Sequence, residues 1–206
     1  MTDLRIAVFG ASGRTGRLVV TQALRRGHEV VAAVRDASKQ WFPDAVTVRQ
    51  GDPRDAKAIA TALAGADATI SALGPIAGET STEISDATRT IVEVMQRTGP
   101  HRLVIAANDT VLSEDEVTGE FANVTAEHRR DLAILRGSAL AWTVVAAPSL
   151  IDEPGSGAYD AVIDGSPPGR SITRADFGAA FLDALEHDDW IGHVVGVANH
   201  PSERSV

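Results

Sequence analysis

The chain contains no cysteine. That removes disulfides, thiolate metal sites and cysteine nucleophiles together. It also has no apolar run near the roughly 20 residues a membrane-spanning helix needs, so no membrane partner is expected. The stretch from Met1 to Gly10 lacks the basic segment and long apolar core of a secretory signal, which makes the cytoplasm the expected location. Positive charge is scarce: 19 Lys and Arg stand against 28 Asp and Glu, a net charge of −9. An acidic surface repels phosphate backbones, which argues against nucleic acid as a partner. Part of the acid sits in Glu114, Asp115, Glu116 and Glu120, read as a solvated loop. The cations that matter must therefore act locally. The 44% of hydrophobic residues fit an ordinary globular protein, and 206 residues fit one domain over 1–206.

What is present is alternation. Leu4–Phe9, Glu29–Val34, Val46–Gln50, Ala68–Ala72, Arg102–Ala107 and Trp142–Ala146 read as strands. Thr15–Arg26, Asp55–Ala64, Glu83–Arg97, a segment within Ala126–Gly137, and Asp176–Glu186 read as helices. The strands are nearly continuous runs of Val, Ile, Leu and Ala. Strands buried on both faces have that composition. The expected fold is α/β, a doubly wound and mostly parallel sheet with helices on both faces. Residues 147–172 form the least regular region, with Asp152–Arg170 richest in Gly, Pro, Ser and Asp. That region is expected to shape the acceptor side.

The run Gly10-Ala11-Ser12-Gly13-Arg14-Thr15-Gly16 follows the first strand and opens a helix. Gly10 permits a tight turn, Gly13 lets the backbone approach a pyrophosphate, and Gly16 lets the helix pack closely. The helix N-terminus offers free N–H groups to phosphates, and Ser12 and Thr15 can add hydroxyls. Strand, glycine loop and helix in this order give the context of a Rossmann-type dinucleotide site.

The end of the second strand tests which dinucleotide. NAD binders commonly place an acid there for the ribose 2′-hydroxyl. Here the sequence is Val34-Arg35-Asp36, with Arg35 nineteen positions after Gly16. A guanidinium can grip a 2′-phosphate bidentately, and Arg14 is expected to reach the same phosphate. The two arginines favour NADPH over NADH, while Asp36 leaves NADH open. Gly51-Asp52 after the third strand falls beside the expected adenine, where the carboxylate can accept from the exocyclic amine; a plain turn before Pro53 is the alternative. Ala72, Leu73 and Gly74 are small enough to let the backbone pass close to the cofactor, and Pro75 delays the next helix.

With these residues assembled, the chain resembles the atypical short-chain dehydrogenase/reductase proteins. More narrowly, it resembles the NAD(P)H-binding group that includes NmrA-like regulators and the flavin reductase/biliverdin reductase B type. The resemblance rests on Ala7–Gly16, Val34–Asp36, Gly51-Asp52, Ser71–Gly74, Trp142–Val145, Pro148 and Ile172–Asp176, and it spans essentially the whole chain. It implies that Ala107 at the end of the fifth strand, together with Pro148, lies along the nicotinamide. Two positions depart from the pattern. Relatives often carry serine where this chain has Ala106-Ala107-Asn108, and arginine where it has Ala147 before Pro148.

Familiar short-chain dehydrogenases relay a proton through Tyr-x-x-x-Lys. This chain has one tyrosine, Tyr159, and two lysines, Lys39 and Lys57, at no such spacing. Hydride transfer to a flavin or other conjugated acceptor needs mainly positioning, with the proton from water. Asn108 is the one candidate to donate to an acceptor carbonyl; Asn-Asp is also a common turn pair. Glu127-His128 reads as a surface helix start, with an acid–base role for His128 as the alternative. His101, His187, His193 and His200 form no metal-ligand set with acids. The residues thus point to an NADPH-dependent oxidoreductase acting on a small carbonyl, quinone or flavin-like molecule. The alternative is a non-catalytic NADP(H) sensor that reports to a partner protein. The oligomeric state is left open. A sugar-nucleotide epimerase fits less well, because such enzymes usually need the same Tyr–Lys pair and a larger substrate region.

Overall fold

Alternate residues of the first strand enter different cores, and this organises the rest of the molecule. The structure is a computed structural model and describes residues 3–39, 42–75 and 81–200. In chain order it runs β1 (Arg5–Phe9), α1 (Arg14–Arg25), β2 (Glu29–Val34), β3 (Val46–Gln50), α2 (Ala56–Leu63), β4 (Ala68–Ser71) and α3 (Glu83–Thr98). It continues through β5 (Arg102–Asn108), α4 (Ala122–Arg136), β6 (Ala141–Ala147), β7 (Ser149–Ile151), β8 (Asp160–Ile163), β9 (Ser171–Thr173), α5 (Arg174–Glu186) and β10 (Val194–Ala198). In β1, Ile6 and Val8 join one core while Ala7 and Phe9 join the other. In β6, Val145 and Ala147 join the first, and Trp142, Val144 and Ala146 the second. A strand with a core on each side must be apolar throughout, which explains the missing polar alternation.

The main sheet has the order β3-β2-β1-β4-β5-β6-β10-β8, and only the β10–β8 pair is antiparallel. Helices α1 and α5 pack together over the first core. Helices α2, α3 and α4 cover the second. This is the Rossmann-type doubly wound α/β sheet expected from the strand–helix alternation. The chain winds outward from β1 to β3 and then crosses to β4 on the other side of β1. The carboxyl ends of β1 and β4 therefore flank the switch point where ligands bind in such sheets.

Three features differ from expectation. Strand β10 was missing from the sequence reading, yet it pairs with β6 and is wholly buried. The stretch expected to be irregular contains β8, whose Val162 and Ile163 are exposed at the sheet edge. Helix α4 begins at Ala122, so Glu127 and His128 lie inside it and are buried rather than at a surface start. Of the tail expected to be loose from His200 onward, His200 itself pairs with Asp160 at 2.8 Å, and residues 201–206 lie outside the described residues.

Candidate functional site

The site begins where β1 ends. Gly10 has φ +72°, a left-handed conformation that costs a side-chain-bearing residue. Its carbonyl accepts the Gly13 N–H at 2.9 Å. Gly13 then caps α1 with no side-chain hydrogen bond, and the first turn of α1 carries no acid. The free N–H groups and positive end of α1 are left to an outside anion. A Cβ on Gly16 would stand 2.1 Å from the Gly10 carbonyl oxygen, so the helix rests directly on the loop. A Cβ on Gly10 would meet the Ala72 carbonyl oxygen at 2.9 Å. The loop is thus wedged between α1 and the end of β4, and it has backbone to offer.

From this loop a cleft of about 430 Å3 runs toward β2 and β3. That is the size of a small-ligand site. Of the residues expected to hold the cofactor, Gly10, Ser12, Gly13, Arg35, Gly51, Asp52, Ala72, Leu73 and Gly74 line it. Arg35 is exposed and makes no hydrogen bond or ion pair among the described residues. Asp52 is differently placed. Arg54 donates to it from Nε to Oδ1 at 2.9 Å, from Nη2 to Oδ2 at 2.7 Å, and from its backbone N–H to Oδ1 at 2.8 Å. Those bonds, with help from the charges of Arg54 and Arg35, hold the Asp52 carboxyl down at about 2. The carboxylate expected to take the adenine amine is therefore already engaged. Arg54 also reaches Glu83, Nη1 to Oε1 at 3.3 Å, and it lines the cleft. Sequence reasoning passed over Arg54; its only signal was an arginine two positions after the acid.

Six expected residues do not line this cleft. Gly16 is buried beneath the loop. Arg14, expected to share a phosphate with Arg35, is turned elsewhere: its Nη1 pairs with Asp152 at 2.9 Å. Arg174 pairs with the other oxygen of Asp152 at 2.6 Å and contacts the Thr15 hydroxyl at 3.5 Å. Thr15 and Arg14 thus face the segment after β7. Ala107 and Asn108 end β5, in register with Ala146 and Ala147, and Pro148 follows. The Thr110 hydroxyl donates to Asn108 Oδ1 at 2.6 Å, which leaves the Asn108 amide N–H groups to donate. Beside it, burial raises the Asp109 carboxyl above the ordinary range.

The other candidate acid–base groups are committed elsewhere. The Tyr159 hydroxyl donates to Asp183 at 2.5 Å, and burial with that carboxylate pushes its pKa far up. It is not poised to release a proton. Glu127, fully buried, accepts the N–H groups of Ile84 and Ser85 and caps α3, whose own cap residue Thr82 makes no capping bond and donates its hydroxyl to Asp86 instead. His128 is buried beside Asp131, 3.7 Å away, between α4 and α3. Among the described residues no helix is long and apolar enough to cross a membrane.

Comparison with known proteins agrees with this geometry. The model of a family described as NAD(P)H-binding matches residues 10–188. The uncharacterized protein YwnB of Bacillus subtilis is 29% identical over 206 residues, 90% of this chain and 94% of that protein. ChuY, an anaerobillin reductase from Escherichia coli O157:H7, superposes with a TM-score of 0.79 at 21% identity, covering 98% of this chain and all of that one. A short-chain dehydrogenase/reductase from Veillonella parvula, solved in complex with NADP, gives 0.81 at 16% identity over 99% of this chain and 98% of its own. At such identities the two structures share the fold.

Proposed function

This chain belongs to the NAD(P)H-binding family, and on that premise we propose that it is a cytoplasmic NADPH-dependent oxidoreductase passing hydride to a small carbonyl, quinone or flavin-like acceptor. The observation that carries the cofactor choice is Arg35. It is a guanidinium without a hydrogen bond or ion pair among the described residues, on the rim of a cleft that starts at the phosphate loop, in a protein of net charge −9. A 2′-phosphate would satisfy it bidentately, whereas a 2′-hydroxyl would not. The loop Gly10–Gly16 would hold the pyrophosphate on backbone N–H groups. Ala72, Leu73 and Gly74 form the close wall beside it. NADPH, when bound, supplies the hydride. The chain's part is to position the acceptor and, through the Asn108 amide, donate a hydrogen bond to the acceptor oxygen. The proton comes from water.

The test is a fluorescence titration with NADPH and NADH. Charge-assisted hydrogen bonds contribute about 1.5–3 kcal/mol. Arg35→Ala is therefore expected to weaken NADPH by roughly 10- to 150-fold and leave NADH nearly unchanged. Equal binding of the two cofactors by the natural protein would refute the preference. Turnover is read with a panel of quinones, flavins and aldehydes. One observation favours a second reading, a non-catalytic NADP(H) sensor signalling to a partner protein: the lone tyrosine is locked on Asp183. Tight NADPH binding with no turnover across the panel would select that reading.

A further inference from the structure

We propose that Arg54 is a flat platform on which the adenine ring stacks, with Asp52 acting as the residue that holds the platform rather than as a ligand of the adenine amine. The proposal rests on reading the cleft as a nicotinamide dinucleotide site, and it goes beyond that reading by assigning a residue and a mode of contact. Three observations carry it.

First, the guanidinium is fixed in plane. Nε and Nη2 fork onto the two oxygens of Asp52 at 2.9 and 2.7 Å, while the Arg54 backbone N–H pins Oδ1 at 2.8 Å. The third nitrogen, Nη1, meets Glu83 at 3.3 Å. Three of its five N–H donors already face carboxylate oxygens, so most of the edge is spent. Its face remains, and a guanidinium face stacks on aromatic rings.

Second, the local charge is wrong for a phosphate ligand. One cation sits between two carboxylates, Asp52 and Glu83. That cluster carries a net negative charge and does not attract a 2′-phosphate. Arg35 acts on Asp52 through its charge but makes no hydrogen bond or ion pair among the described residues, so its N–H groups are the ones open to a phosphate. The two arginines of the cleft therefore have different tasks.

Third, the surroundings suit a flat ring. Arg54 lines the cleft together with Pro53, Leu73, Ile84 and Ala87, which offer apolar walls. The Arg54 side chain is 47% exposed, so it is within reach of a ligand in the cleft.

The experiment measures dissociation constants of NADPH and NADH for the natural protein and for Arg54→Ala, Arg54→Lys and Asp52→Asn. Stacking on a base contributes about 1–3 kcal/mol by alanine substitution. Arg54→Ala is thus expected to weaken both cofactors by the same factor, about tenfold. Arg54→Lys, which keeps the charge and loses the plane, should lose as much. Asp52→Asn, which frees the guanidinium to move, should lose several-fold for both cofactors. Full affinity in Arg54→Lys would overturn the proposal, because charge alone would then suffice. So would a loss confined to NADPH, which would make Arg54 a phosphate ligand, or no loss in Arg54→Ala. If the natural protein binds neither cofactor, the reading of the cleft fails and takes this inference with it. If it binds and only the Arg54 variants behave otherwise than stated, this inference alone fails.

Discussion

Replacing Gly16 with alanine tests how tightly the phosphate loop and α1 depend on each other. The new methyl group would stand 2.1 Å from the Gly10 carbonyl oxygen, 2.8 Å from its carbon and 2.9 Å from the Ala11 Cα. All three are backbone atoms, so no side chain can swing aside. Ordinary contact begins near 3.4 Å, which leaves a shortfall of about 1.3 Å. The helix cannot retreat that far, because Val19, Val20 and Ala23 are locked in the core and α1 packs on α5. The loop cannot retreat either, because the Gly10 carbonyl holds the Gly13 N–H and Phe9 holds the Ala72 N–H. Alanine gains up to about 1 kcal/mol in helix propensity. Overpacking against backbone costs about 3 kcal/mol or more, the upper end of the usual range, and wins. With a urea slope of about 3 kcal/mol per molar, the net loss of about 2 kcal/mol or more lowers the unfolding midpoint by roughly 0.7 M or more. NADPH affinity should fall at least tenfold in the same protein, since the N–H groups of the loop move with the helix. Gly74→Ala is the control. It lines the same cleft, yet its added Cβ would meet nothing within 4 Å among the described residues and its φ lies outside the left-handed region, so its midpoint should hold or rise slightly. A Gly16→Ala protein with unchanged midpoint and unchanged NADPH affinity would refute the argument.

Two further outcomes follow from the same geometry. Tyr159→Phe removes a hydroxyl that serves Asp183, which Arg26 also holds at 2.7 Å; stability should drop by about 1 kcal/mol with turnover unchanged, and a large loss of kcat would return the tyrosine to the chemistry. For Glu127, burial raises the carboxyl pKa, but the hydrogen bonds from Ser85 and the charge of Arg130 outweigh it and the net shift is downward. The unfolded chain therefore takes up the proton first as pH falls, so the stability from this group is present above 4.5 and lost as pH drops through the lowered folded value. Glu127→Gln should cost about 2 kcal/mol at neutral pH and flatten the acid limb of a thermal-stability profile, whereas an unchanged acid limb would show that the cap is not charged.

The parts of the molecule that were legible in sequence are those decided by neighbours along the chain. A glycine at each critical turn of Gly10–Gly16, set between an apolar run and a helix, needs no distant residue to define it. The double burial of β1 and β6 was visible as nearly continuous apolar runs, interrupted in β6 only by Thr143. What escaped was decided at long range or masked locally. Helix α4 opens on Ala122-Asn123-Val124-Thr125, mostly poor helix formers, and it is held by packing against α3 and β5. This is why Glu127 looked like a helix start, and why its role as the cap of α3 was hidden. Strand β10 is five residues broken by Gly196, too short to distinguish from a buried loop until β6 supplies its ladder.

The arginines make the same point at the level of the site. Sequence position placed Arg14 and Arg35 near one phosphate and passed over Arg54, but a long side chain goes where its counter-charge is. Arg14 is drawn to Asp152, which lies 138 residues away in sequence and is shared with Arg174. Arg54 is drawn to Asp52, a partner two residues away that the turn after β3 brings within reach. Arg35 has no acid within pairing distance among the described residues, and it stays at the rim of the cleft. On the proposed reading, the cation best suited to an incoming phosphate is the one left without an ion pair among the described residues, and pairing, rather than the number of arginines near the loop, is what would separate a phosphate ligand from a stacking surface, as it separates both from the strut that Arg14 forms to Asp152.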